Sequence, residues 1–71
     1  MKNMIEMWDF RAQKIICMLQ SNIAPNPNEL VEIKSSSTGK TQSYRVMSRR
    51  YTNGVVNGEP SLVTIIELVM I

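Results

Sequence analysis

The sequence predicts an all-β fold. It reads as one small domain, residues 1–71, built as a five-stranded barrel or a strongly bent antiparallel sheet. Three observations predict it. The stretch Lys40–Tyr51 alternates like a half-buried strand. It sets Tyr44, Val46 and Ser48 on one face and Arg45, Met47, Arg49 and Tyr51 on the other. The run Ser61–Ile71 is rich in β-branched residues, carries one charge and contains no Gly or Pro. Between them, Asn53-Gly54 and Asn57-Gly58-Glu59-Pro60 supply residues that tolerate positive φ and so mark turns.

Taken in order, the first twenty residues allow two readings. As a helix over 4–20, residues Ile5, Trp8, Ala12, Ile15, Ile16 and Leu19 fall three and four apart, and Ala, Arg, Gln, Lys, Met and Leu favour it. The fold would then be α+β, with that helix packed on a three-stranded meander. As two strands, Met4–Trp8 and Lys14–Gln20 are joined by Asp9–Gln13. Ser21–Asn28 is a connecting loop, because Pro25 and Pro27 remove donors and push the residues before them toward extended geometry. Leu30–Lys34 is a short strand. The polar turn Ser35–Gly39 joins it to Lys40–Tyr51 as a hairpin, and Leu62–Ile71 continues the meander.

The order of short strand, "MLQSNIAPNPNELVEIK", "SYRVMSRRY" and "VTIIELVMI" resembles small Src-homology-3-like β-barrels. It is similar in particular to short uncharacterised β-proteins of bacterial prophages and mobile elements. The similarity covers roughly residues 14–71 and is a pattern rather than a signature. The long Ser-rich turn and the Asn-Gly loop depart from it. The resemblance implies that Lys14–Gln20 is a strand feeding the proline loop, and hence two N-terminal strands rather than one helix. No functional residue carries over with it.

Composition narrows the chemistry. A 71-residue chain with 44% apolar residues makes one globular domain of modest core. No apolar run is long enough to span a membrane, and Glu6 and Asp9 interrupt the N-terminal apolar stretch, which argues against a signal peptide. With Cys17 as the one cysteine, no internal disulfide forms, and a cytoplasmic location is expected. There is no histidine, which removes the commonest general base and zinc ligand. Cys17, between Ile16 and Met18, reads as a buried apolar residue. Ser37-Thr38-Gly39-Lys40 lacks the first glycine of a phosphate loop and reads as a hairpin turn. Glu29 and Glu32 read as solvated strand charges. No catalytic residue, metal ligand or cofactor is expected, and the chain is expected not to be an enzyme.

Two binding surfaces are expected. Residues 1–33, 34–51 and 52–71 carry net charges of −1, +5 and −2, so the net +2 is concentrated in the central hairpin. Lys34, Lys40, Arg45, Arg49, Arg50 and Tyr51 are therefore candidates for contact with single-stranded nucleic acid, with Tyr51 as a stacking platform. The bland alternative is that outward charges keep the strand soluble. The last strand is apolar on both faces, and a short chain has little material to cover a second face. Either the Met1–Phe10 segment folds over it or a second copy does. Val63, Ile65 and Val69, on the face of Glu67, are the candidate homodimer contacts. The leading expectation is a non-enzymatic binding or assembly module of prophage or mobile-element origin, with a homodimer or another protein as partner and no membrane. A weak nucleic-acid-binding module is the alternative.

Overall fold

The computed structural model describes residues 2–71, with Lys2 and Val56 described by their backbone alone; Met1 lies outside the described residues. Five strands form a single, strongly curled half-barrel sheet. They are β1 (Lys2–Asp9), β2 (Lys14–Gln20), β3 (Leu30–Lys34), β4 (Thr41–Val56) and β5 (Glu59–Met70). Their spatial order is β2-β1-β5-β4-β3. The all-β expectation holds, and the alternative helix over 4–20 is replaced by the β1–β2 hairpin.

The turn of that hairpin decides the matter locally. Asp9 Oδ1 accepts from the amides of Arg11 and Ala12 at 2.9 and 3.0 Å. Gln13 then takes a φ of 55° and its amide donates to the Asp9 carbonyl. An Asx turn followed by a left-handed residue reverses the chain before a helix propagates. Propensity loses to the two ladders that β1 joins, one on each side.

β1 does not fold over β5. It lies beside β5 and pairs with it in parallel, Lys2 opposite Ser61 through Asp9 opposite Leu68. The other neighbours are antiparallel, so the sheet is mixed. β5 is thus the central strand. Ile66 and Leu68 on its inner face are fully buried, packed with Ile5, Met7, Tyr44 and Val46. Ile16, Cys17, Ala24, Val31 and Ile33 close over that cluster from β2, the proline loop and β3.

The outer face of β5 is flanked by its own neighbours. Glu6 lies opposite Ile65 and Trp8 opposite Glu67, while Ser48 and Arg50 flank the same pair from β4. Trp8 Nε1 donates to Glu6, Ser48 Oγ donates to Glu67 at 2.9 Å, and Arg50 sits 3.6 Å from the same Glu67 oxygen. Polar side chains from adjacent strands thus converge on Glu67 at the middle of this face, and Ile65 and Val69 beside it are half-buried.

Two turn boundaries differ from expectation. Asn53-Gly54 is strand, paired with Leu62 and Ser61, and β4 runs on to Val56. Only Asn57-Gly58 turns, with φ of 53° and 80°, the two positive values that a tight hairpin of this kind needs. Pro60 falls at the second residue of β5, close to the strand start that a missing amide donor tolerates.

Candidate binding groove at the open seam

The arginines of β4 do not share a face. The register runs Val46 opposite Leu68 and then Ser48 opposite Glu67, so Met47 is an extra, bulged residue. A bulge shifts the alternation by one. Tyr44 and Val46 face the core as expected. Ser48, expected beside them, is turned to the outer face. Arg45 and Arg50 lie on that outer face, opposite Val69 and Ile65. Arg49 and Tyr51 lie on the inner side, opposite Ile66 and Thr64. The expected face of Arg45, Met47, Arg49 and Tyr51 is thereby divided.

Two of these arginines also hold the loop between β2 and β3. Asn26-Pro27-Asn28-Glu29 is a turn with Asn28 at a φ of 73°, closed by Glu29 N donating to Asn26 O and by Asn26 N donating to the Glu29 carboxylate. Arg45 donates to the Asn28 carbonyl at 3.1 Å, and Arg49 donates to Asn26 Oδ1. Asn28 and Glu29 exchange backbone hydrogen bonds with Val46. The guanidinium of Arg49 sits 5.8 Å from the Tyr51 ring centroid, a cation–π contact.

Two grooves open on the inner side. The smaller, about 330 Å³, is lined by Arg49, Tyr51, Asn3, Ser21, Asn22 and Thr64 among others. The larger, about 570 Å³, lies where β2 and the β3–β4 hairpin fail to meet. Ile16, Cys17, Ile33, Tyr44 and Met70 give it an apolar floor. Ser35, Ser36, Thr38, Thr41 and Gln42 give it a polar rim, and Lys34 and Lys40 also line it. Among the described residues that line it, none is acidic. Burial pushes the Cys17 thiol above its ordinary value of 9.0, so the floor is uncharged at neutral pH.

Tyr44 is only 7% exposed and lines the same groove.

The nucleic-acid candidates are thus split three ways: Lys34 and Lys40 at the large groove, Arg49 and Tyr51 at the small one, Arg45 and Arg50 on the outer face. Of the dimer candidates, Val63 is buried by its own chain, and Ile65 and Val69 are half-buried. No family model, curated protein or solved structure matches this chain. The seam itself was missed by sequence reasoning. Its only trace was the Ser-rich turn between two lysines, which reads equally well as a plain hairpin.

Proposed function

We propose that the chain is a non-enzymatic binding or assembly module that captures an extended segment of a partner protein at the seam beside β2. One observation carries this reading: β2 is an uncovered edge. It has no Pro or Gly and one charge, Lys14, and it exposes Ile15, Met18 and Leu19. Soluble proteins protect such edges, because unpaired N–H and C=O groups template another strand. Strand addition is a common way to bind an extended peptide. The resemblance to small barrels and to mobile-element proteins supports a binding role only through fold analogy.

The backbone identifies a test. The Phe10 amide donates to Leu68 of β5. Amides alternate sides along a strand, so Met7 and Ile5 direct theirs at Cys17 and Leu19 of β2. The Met18 amide then points away from β1, toward the seam. Met18→Pro removes that outward donor and leaves the β1–β2 ladder intact. A random decapeptide library is selected on the immobilised protein and the enriched peptides are titrated onto wild type and Met18→Pro. The expected result is saturable binding, lost in a variant that melts normally. No enrichment, or equal binding to both proteins, rejects the reading.

A second reading is favoured by the Arg49–Tyr51 pair beside the small groove, which suits a stacked base with its phosphate. Labelled oligonucleotides titrated at low and physiological salt onto wild type and Tyr51→Ala check it. Binding that falls with salt and with loss of the ring supports it; no binding at low salt removes it.

A further inference from the structure

We infer that the seam selects an extended segment that is apolar along its inward side and carries carboxylates at one end. The inference rests on the docking reading above and names the chemistry of the occupant. The floor of Ile16, Cys17, Ile33, Tyr44 and Met70 takes apolar side chains. Among the described residues, two lysines line the groove and no acid does. The turn that carries Lys40 is fixed by the Gly39 amide on the Ser35 carbonyl and the Ser35 amide on the Lys40 carbonyl, each 2.8 Å. The main chain of the turn between the two lysines is therefore held by its own hydrogen bonds.

Charge argues against a second copy as the occupant. β2 of another molecule brings Lys14 and no carboxylate to a site already lined by two lysines. Like charges juxtaposed at an interface oppose pairing, whereas opposite charges steer it and fix its register.

Four blocked synthetic peptides test this on the full chain. Two place the pair Glu-Glu before or after the alternating run Val-Thr-Ile-Thr-Val; two carry Lys-Lys in the same places. Binding is read by isothermal titration at low and physiological salt. One of the two Glu peptides is expected to bind at least about tenfold more tightly than its Lys counterpart, with the gap narrowing as salt rises. Lys34→Glu with Lys40→Glu, both exposed positions, should reverse the order. If Glu and Lys peptides bind alike and the double reversal changes nothing, charge selection is overturned while docking stands. If none binds, the docking reading itself falls. If sedimentation shows a dimer that Met18→Pro dissolves, the occupant is a second copy and the acidic segment is rejected.

Discussion

At the scale of single residues, burial and backbone conformation set the costs. Leu68 and Ile66 have no exposed surface, and their neighbours come from three strands. Truncating Leu68 to Ala should cost about 3 kcal/mol, a large part of what a domain of this size holds. Val69→Ala, on the half-buried outer face, should cost under about 1 kcal/mol. Chemical denaturation of the two variants checks the ratio. The glycines separate in the same way. Gly58 holds a φ of 80°, so Gly58→Ala should destabilise by about 1–2 kcal/mol. Gly54 is in strand, and an added Cβ would meet Val63 at an ordinary 3.5 Å. Gly54→Ala should stay within about 0.5 kcal/mol of wild type. Cys17 gives the pH-dependent prediction. Burial favours its neutral form, so its contribution to stability is intact below the ordinary thiol value and declines as pH rises past it. The same shift leaves little thiolate, so alkylation by iodoacetamide at pH 8 should be slower than for a free cysteine. Equal rates would contradict the burial.

Elements are governed by parity. The bulge at Met47 lets Val46 stay in the core while Arg49 and Tyr51 reach the inner side. Deleting Met47 removes a residue that has no partner on β5, so every other cross-strand pair of β4 is retained. Deleting Arg50, which is paired with Ile65, either pushes Tyr51–Val56 onto the wrong faces or, with the bulge absorbed, sets Ser48 against Ile66 in the core and turns Arg49 outward. The first variant should keep a cooperative melt and a β-type circular dichroism spectrum; the second should not fold. The reverse order would mean that the bend made by the bulge matters more than the register it corrects. The bulge also explains why the basic face drawn from strict alternation is divided. Alternation was readable from the sequence, but the extra residue was not, because nothing in Ser43–Arg50 differs chemically from a regular strand.

For the whole molecule, the decisive contact is between the chain's first and last strands. β1 and β5 pair in parallel at the centre of the sheet, so β5 gains its second neighbour only when both ends of the chain meet. Such non-local pairing pays loop-closure entropy before it is rewarded. Refolding measured by stopped-flow fluorescence of Trp8, which lies on β1, should fall in the millisecond-to-second range rather than in microseconds. A chain lacking residues 2–9 leaves Ile66 and Leu68 without Ile5 and Met7, and should lose its cooperative transition. A truncated chain that still melted sharply would place the folding unit in β3–β5 alone.

The sequence by itself determined what is local. β-branched runs, the Asn57-Gly58 turn and the proline loop marked the strands and their order, while Asn53-Gly54 proved to be strand, and the apolar content of Leu62–Ile71 marked the centre of the core. These signals are carried by each residue's own backbone preferences and by a period of two. Tertiary structure decided the rest. It turned the first twenty residues from a good helical pattern into a hairpin, because β5 offered β1 a ladder that no helix satisfies. It set the bulge at Met47, which exists only relative to a partner strand. It left β2 and the β3–β4 hairpin apart, making the groove. Register and closure arise from hydrogen bonds between segments distant in the chain, and no single segment encodes them.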